Sequence, residues 1–363
     1  MPFSELDRRH MAEALRLAAA HAFTTKPNPM VGCVIAHGAE VVGRGAHQRA
    51  GEAHAEVHAL REAGSRAAGA TAYVTLEPCA HFGRTPPCAD ALVAAGVMRV
   101  VAAIRDPFHA VAGRGFTALQ AAGISVEHGL LADEAEWLNR GFLMRVRQGR
   151  PWVRVKLAMS LDGRTALANG ESKWISGESA RADVQAHRAR SSAILTGLGT
   201  VLADDPQLTA RVPEGTAFVP PLRVVLDHRG ALPRNCRLLD GEAPTLVAHA
   251  DDVVPDYGPT VEGFAVPRRA GHLDLLAVLA QLAMRQVNEV QVEAGAKLAG
   301  AFLRADLVDE LLVYLAPVLL GERGRPLFDG LGIERMVERV GLERVEVHAF
   351  DDGDLRLSYR PAR

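Results

Sequence analysis

The sequence predicts an α/β protein of two domains, and three observations carry that prediction. At 363 residues the chain is longer than one ordinary core and long enough for two. Short Val/Ile/Ala-rich runs alternate with stretches of helical periodicity, the pattern of helices layered on a sheet. Between the halves, the segment from Arg145 to Pro151 is basic, carries Gly149 and Pro151 and breaks the helical spacing, so the boundary is expected near residues 147–150.

Composition narrows the function. A formal net charge of −2 with 23% charged residues offers neither a global basic field for nucleic acid nor an acidic tail, so a small substrate is expected. The four cysteines, Cys33, Cys79, Cys88 and Cys236, are too sparse for a disulfide framework and indicate a reducing compartment. The first residues hold no apolar signal core, and no stretch approaches about 18 uninterrupted apolar residues. The expected setting is the cytoplasm, without a membrane partner.

In the first half, Ser4 and Asp7 resemble a capping box, and Met11, Ala14, Leu15, Ala18 and Ala22 fall at helical spacing, predicting a helix over 5–23. Lys26-Pro27-Asn28-Pro29 stops it. Asn28, stiffened between prolines, has the donor and acceptor that reading a pyrimidine edge requires, although an Asn between prolines is also a common turn residue. Residues 31–36 and 40–45 predict a hairpin, 54–63 a helix ending at Gly64, and 72–76 a buried strand running into Glu77-Pro78-Cys79. Strands at 99–104 and 125–128 and helices at 87–95, 114–122 and 133–145 complete an α/β layer. The run from Gly113 to Ala118 fits G-x-G-x-x-A, but it lies too far past the strand ending at Ile104 for a dinucleotide fingerprint and is read as accidental.

His54, Cys79 and Cys88 are the chemistry of this half. One imidazole and two thiolates suit a tetrahedral zinc that keeps a fourth position for water. Glu56, on the opening turn of its helix, faces the same place without being a ligand and is able to shuttle protons. H-x-E followed by P-C is the signature of zinc nucleobase deaminases. His47, His58 and His81 are weaker candidates, since isolated histidines are more often structural or solvated, and zinc is assigned to His54, Cys79 and Cys88 alone.

In the second half, 152–159 predicts a strand with one polar-facing side, followed by a turn at Ser160-Leu161-Asp162-Gly163-Arg164-Thr165. A helix at 179–189 and a strand at 193–196 lead to Gly197-Leu198-Gly199-Thr200, read as a loop able to cradle phosphate. Strands at 224–226 and 246–248, a helix at 273–285 and a strand at 289–292 follow. That last strand enters a glycine turn from Glu293 to Gly300, a phosphate seat at a helix N-terminus. Closing strands are expected at 307–315 and in a hairpin of 344–350 with 355–359.

Thr25-Lys26-Pro27-Asn28-Pro29, His54-Ala55-Glu56-Val57-His58-Ala59 and the run from Glu77 to Cys88 resemble the deaminase half of the bifunctional deaminase–reductase family of riboflavin biosynthesis. The long gap between Cys79 and Cys88 separates this family from cytidine and tRNA-adenosine deaminases, which have P-C-x-x-C. The runs from Lys156 to Arg164, Gly170 to Ile175 and Val201 to Pro206 resemble the reductase half, whose fold is similar to dihydrofolate reductase. The resemblance implies a cytidine-deaminase-like three-layer α/β/α domain at 1–147 and a dihydrofolate-reductase-like α/β domain at 148–363. It implies zinc and NADPH as cofactors, a phosphoribosyl pyrimidine that is deaminated and then reduced to its ribityl form, and a homo-oligomer, dimer or tetramer. Catalytic roles fall on Glu56 and Lys156, and reading of the base on Asn28. Substrate contacts fall on Ser172, Arg188, Leu208, Arg211 and Glu293, where the two arginines suit a sugar phosphate. NADPH contacts fall on Ala158, Trp174, Thr200, Asp204, Gly295, Ala296, Lys297, Leu298, Ala299, Gly300 and Ala301.

Two departures from the family pattern stand out. His228 occupies a position where a small hydroxyl residue is common, and Lys297 brings a bulky cation to the phosphate seat. Two other readings are weighed against this one. A nucleoside or tRNA deaminase fused to an unrelated α/β domain is opposed by the cysteine gap, and a non-catalytic zinc-stabilised module by three ligands with an adjacent Glu56.

Overall fold

Ser4 opens the first helix with the reciprocal bonds its sequence promised: the Asp7 N–H donates to Ser4 Oγ at 3.1 Å and the Ser4 N–H to Asp7 Oδ2 at 2.8 Å. The computed structural model describes residues 3–80, 87–108, 111–259 and 261–362; His81, one of the weaker histidine candidates, lies outside them. Two compact units form, Met1–Gly149 and Arg150–Arg363. Among the described residues no helix is long and apolar enough to cross a membrane.

The first unit carries α1 (Glu5–Ala19), β1 (Gly32–His37), β2 (Glu40–Ala46), α2 (Ala55–Ala63), β3 (Thr71–Leu76), α3 (Cys88–Ala94), β4 (Arg99–Ile104), α4 (Arg114–Ala121), β5 (Ser125–His128), α5 (Ala132–Leu138) and α6 (Arg140–Gln148). Its sheet has the order β2-β1-β3-β4-β5, with β1 antiparallel to both neighbours and β3, β4 and β5 parallel. Met11 and Ala14 of α1, Ala135 of α5 and Leu143 of α6 bury one face. Ala55 and Ala59 of α2, Leu92 of α3 and Leu119 of α4 bury the other. The result is three layers. Small residues let α2 lie close on β2, since a Cβ on Gly45 would sit 2.1 Å from the Ala55 carbonyl oxygen.

The single helix expected over 133–145 is two. Asn139 divides them, because its buried side chain serves a different partner: Oδ1 accepts from the Met30 N–H at 2.8 Å and Nδ2 donates to the Met30 carbonyl at 2.9 Å. Periodicity continues through this point, so the break is dictated by a contact remote in sequence.

The second unit carries β6 (Trp152–Ser160), β7 (Arg164–Ala166), α7 (Glu178–Arg190), β8 (Ala193–Gly197), α8 (Leu198–Asp204), β9 (Leu222–Leu226), β10 (Thr245–Ala250), β11 (Glu262–Val266), β12 (Arg268–Arg269), β13 (His272–Leu273), α9 (Leu275–Met284), β14 (Glu289–Glu293), α10 (Ala296–Arg304), β15 (Glu310–Ala316), β16 (Arg325–Pro326), β17 (Leu342–Ala349) and β18 (Leu355–Pro361). Nine of these strands form one sheet, ordered β11-β10-β9-β8-β14-β6-β15-β18-β17. It is parallel except that β18 runs antiparallel to β15 and β17. Leu279 of α9 and Phe302 of α10 pack with Val153, Val155 and Val292 on one face. On the other, Val184 of α7 packs with Leu312 and Tyr314.

The polar-facing side expected of β6 is turned into the protein: the strand sits between β14 and β15, and Arg154 is 1% exposed. Its guanidinium is neutralised inside, Nε donating to Glu310 at 3.0 Å and Nη2 to Glu289 at 3.3 Å. The segment from Gly197 to Thr200 is not a loop but the start of α8, with Gly197 at its N-cap.

Candidate active sites

In the first unit the ligand geometry follows from where the helix and strand end. His54 is the N-cap of α2, and Cys88 is the first residue of α3. Cys79 follows the carboxyl end of β3, where open α/β sheets place their chemistry. His54 Nδ1 lies 3.2 Å from Cys88 Sγ and 3.5 Å from Cys79 Sγ, and the three donor atoms all fall within 4.8 Å of one another. A tetrahedral zinc with ordinary bond lengths requires such atoms about 3.5–3.8 Å apart, so this donor set fits zinc. A hydrogen bond from the Cys88 thiol draws Cys79 down to about 4 against the opposing effect of burial, and His54 and the Cys88 N–H act in the same direction. That direction favours the thiolate at Cys79, the form that binds metal.

Glu56 stands in the first turn of α2, 3% exposed, within reach of Cys88. Burial, with the negative Cys79 adding, pushes its carboxyl up, the direction that suits a group taking and giving protons near neutral pH. Asn28 is brought to the same place: its Nδ2 is 3.0 Å from His47 Nε2, and His47 stands edge-on to His54 with ring centroids 5.5 Å apart.

Sequence reasoning ranked His47 low and passed over Glu77 altogether. Glu77 is buried, and its carboxylate accepts from the N–H groups of Gly113 and Gly115, both at 3.0 Å, and of Asp106 and Phe116 at 3.3 and 3.4 Å. The glycine-rich run that imitates a dinucleotide fingerprint is therefore filled by the protein's own carboxylate, which anchors the Pro78-Cys79 turn. A Cβ on Gly115 would sit 1.9 Å from the Pro78 oxygen. The available signal was an acid two residues ahead of Cys79, together with a glycine-rich helix start.

In the second unit, Lys156 of β6 and Glu293 of β14 are register neighbours at the carboxyl end of the sheet. Arg188 of α7 grips Glu293 in a bidentate pair, Nε to Oε1 and Nη2 to Oε2 both at 2.7 Å, and its Nη1 donates to the Thr209 carbonyl at 3.0 Å. Burial disfavours the Glu293 carboxylate, but Arg188 and Lys156 hold it at about 2. Burial pulls the Lys156 ammonium down, opposed by Glu293 and reinforced by Arg188. Leu208, with φ of 51°, is buried beside this cluster's loop, and Arg211 is exposed with its N–H bound to Gln185. Ser172 is half-buried, and Trp174, 72% exposed, carries Arg181 over its ring at 4.8 Å.

A groove of about 1070 Å³ opens beside the amino ends of α8 and α10, lined by Gly197, Leu198, Lys297, Leu298 and Ala301 among others. Its size and its two helix N-termini fit a dinucleotide. Gly295 caps α10 and Ala296 begins it. Ala299 and Gly300 turn away, Ala299 into the core and Gly300 against the Asp329 carbonyl. Ala158, Thr200, Asp204 and Trp174 also lie outside the groove lining.

Residues 4–104 match the family model of the cytidine and deoxycytidylate deaminase zinc-binding region, and residues 151–354 match that of the RibD C-terminal domain. Along its length the chain is 53% identical to the riboflavin biosynthesis protein RibD of Escherichia coli strain K12, covering 97% of this chain and 99% of that one. The chain belongs to the RibD family. The RibD of Haemophilus influenzae is 45% identical with 99% of both chains covered. Among solved structures, Acinetobacter baumannii RibD superposes with a TM-score of 0.91 at 44% identity, covering 99% of each chain. A deaminase/reductase from Thermotoga maritima gives 0.88 at 33%, covering 98% of this chain and 99% of that one. Membership makes the fold a cytidine-deaminase-like unit with a RibD reductase unit of dihydrofolate-reductase type, and the protein a zinc-dependent deaminase that is also an NADPH-dependent reductase.

Proposed function

We propose that the first unit, expected at 1–147, deaminates the diamino-pyrimidinone ribosyl phosphate of riboflavin biosynthesis, and that the second, expected at 148–363, reduces the resulting 5-amino-6-(5-phosphoribosylamino)uracil to its ribityl form. The Thermotoga relative is named for both of these activities. The observation that carries the reading is the His54, Cys79 and Cys88 triangle with Glu56 buried beside it.

Those three side chains would hold zinc, which when bound activates water at neutral pH. Glu56 accepts the water's proton and returns it to the departing ammonia, and Asn28, fixed by His47, reads the pyrimidine edge. In the second unit NADPH supplies hydride. Lys156 stands at the reacting centre, its ammonium eased toward proton donation by burial. Arg188 holds Glu293 in place, so Arg211, whose guanidinium has no ion-pair partner among the described residues, is the cation presented to the sugar phosphate. The substrate contacts at Ser172 and Leu208 rest on the family resemblance. Gly295, Lys297, Leu298 and Ala301 at the start of α10 receive the cofactor diphosphate, and the contacts at Ala158, Trp174, Thr200 and Asp204 rest on the family resemblance.

A homo-oligomer is supported by the edge strand β17 and the segment before it, where Met336, Val337, Leu342 and Val347 are exposed apolar residues. A cytoplasmic setting is supported by the absence of disulfides among the described cysteines.

The test follows ammonia release and NADPH loss on the pyrimidine substrate. Glu56→Ala should abolish ammonia release while zinc content stays at the wild-type level, and NADPH oxidation should persist when the deaminated substrate is supplied. Unchanged ammonia release removes Glu56 from the mechanism. NADPH oxidation that needs no deaminated substrate removes the second reaction.

A further inference from the structure

Glu293 attracts the Lys156 ammonium, but its oxygens are committed elsewhere. Oε1 accepts from Arg188 Nε at 2.7 Å and from Gln291 Nε2 at 2.8 Å, and Oε2 accepts from Arg188 Nη2 at 2.7 Å. Lys156 donates no hydrogen bond to another side chain among the described residues. What its ammonium meets is Tyr314: Nζ stands over the ring, 5.5 Å from the centroid, within the range of a cation–π contact.

Strand pairing brings the two together. Lys156 of β6 is opposite Leu312 of β15, and Tyr314 lies two residues further along β15, on the same face of the sheet. Tyr314 is fully buried there, packed with Leu312 beneath Ala180 and Val184 of α7 and stacked on Phe350 at an interplanar angle of 19°. Its hydroxyl is held as well, Oη donating to Asp183 Oδ2 on α7 at 2.6 Å. Arg356 of β18, the register partner of Tyr314, donates through Nη1 to both Asp183 oxygens at 2.8 and 3.0 Å, and through Nη2 to Glu346 at 2.8 Å. His187, one turn further along α7, lies 3.6 Å from Asp183. Burial, with Asp183 adding, pushes the Tyr314 hydroxyl up, so it stays a neutral donor. A phenol that donates to a carboxylate keeps more electron density in its ring, which strengthens the pull of the ring face on a cation.

We propose that Tyr314 is a positioning residue for the reduction, its ring seating the Lys156 ammonium at the reacting centre and Asp183 and Arg356 fixing the ring. This rests on Lys156 standing at that centre. Tyr314 is not among the residues that line the dinucleotide-sized groove, so it acts through Lys156 and not on the cofactor. Around the ammonium, Glu293 of β14 and the Tyr314 ring favour the charge, whereas burial and Arg188 of α7 oppose it. Arg154, two residues back on β6, has its own charge met by Glu310 and Glu289. Without the ring, Glu293 alone stands against burial and Arg188, and the lysine gives up its proton at lower pH. A lysine that donates its proton is active as the ammonium, so the rate falls as pH rises through its pKa, and losing the ring moves that fall to lower pH.

The experiment is the pH dependence of NADPH oxidation by the full-length, zinc-loaded protein supplied with the deaminated substrate. Wild type is compared with Tyr314→Phe and with variants carrying monofluorinated and pentafluorinated phenylalanine at the same position. Phenylalanine keeps the ring and gives up only the bond to Asp183, so kcat should stay within about threefold of wild type. Fluorination drains the ring face of its negative charge while Asp183, Arg356 and His187 remain in place. The alkaline limb of the pentafluorinated variant should therefore lie about one pH unit below that of Tyr314→Phe, a tenfold change in the protonation equilibrium. KM for NADPH should hold within about twofold, because the ring does not touch the groove. The monofluorinated ring is nearly the size of phenylalanine; its limb should fall between the two, and it carries the test if the pentafluorinated chain does not fold. Superimposable pH profiles across the ring series, or a rise in KM for NADPH with the limb unmoved, overturn the positioning role while leaving Lys156 standing. A full rate in Lys156→Ala overturns the reading on which the proposal rests.

Discussion

Replacing Glu77 by alanine removes the acceptor for four backbone N–H groups at once and leaves the zinc ligands themselves untouched. Two of the bonds, to Gly113 and Gly115, are 3.0 Å long and buried; the other two, at 3.3 and 3.4 Å, are weaker. Leaving one buried donor unmet costs about 1–3 kcal/mol, so the two strong bonds alone set a range of about 2–6 kcal/mol. The space vacated by the side chain admits water, which meets part of the need, and about 3 kcal/mol is the expected loss. Against the roughly 5–15 kcal/mol that a domain possesses, the unit should remain folded at 25 °C but unfold at lower urea. Glu77→Gln keeps the volume and is the sharper variant. Its NH₂ replaces an oxygen that accepts two bonds, setting donor against donor, so it should be no milder than alanine. Urea titration followed by ammonia release and, separately, by NADPH oxidation reports on each activity. The midpoint for ammonia release should fall and that for NADPH oxidation should hold. A loss under about 0.5 kcal/mol, or a glutamine variant equal to wild type, would refute the claim that this carboxylate anchors the ligand turn.

Asn139→Ala removes both side-chain bonds to Met30 and leaves its buried N–H and carbonyl unpaired; a loss of about 2–4 kcal/mol by urea denaturation is expected, and Asn139→Asp should recover only the bond that Oδ1 accepts. The Arg188–Glu293 pair gives the second unit an acid limit. Because the folded carboxylate titrates at about 2, below its unfolded value near 4.3, the pair's stabilisation is complete above that unfolded value and is lost as pH falls toward about 2. Thermal melts of wild type between pH 6 and about 2.5 should fall more steeply than those of Glu293→Gln, and parallel curves would show that the pair carries no such linkage.

The donor cluster proposed to hold zinc was legible because such chemistry constrains residue type and spacing together. An imidazole, two thiols and an unliganded acid at His54, Cys79, Cys88 and Glu56 have few other uses, and the helix and strand ends that present them follow from local periodicity. What escaped depends on contacts remote in sequence. Asn139 breaks a helix whose periodicity is intact, because Met30 offers it a better partner. Arg154 alternates with valines like a solvent-facing residue, yet Glu289 and Glu310 from other strands neutralise it in the interior. Glu77 reads as part of a turn until Gly113 and Gly115 are folded against it. In the reductase unit, Arg188 reads as a phosphate clamp, but its guanidinium is already occupied by Glu293.

The central placement of β6 has a consequence during synthesis. It leaves the ribosome among the first strands of its sheet, yet its neighbours β14 and β15 begin at Glu289 and Glu310. At about 5–20 residues per second, a strand that must wait roughly 130 residues for its first partner stays unpaired for on the order of 10 s. By contrast, β1 finds β2 within one hairpin. During that interval Val153, Val155 and Leu157 are an aggregation hazard, and the charges set between them, Arg154 and Lys156, act as gatekeepers. Arg154 protects the nascent strand in transit and is then neutralised by Glu289 and Glu310 inside the finished sheet, whereas Lys156 is left for the site.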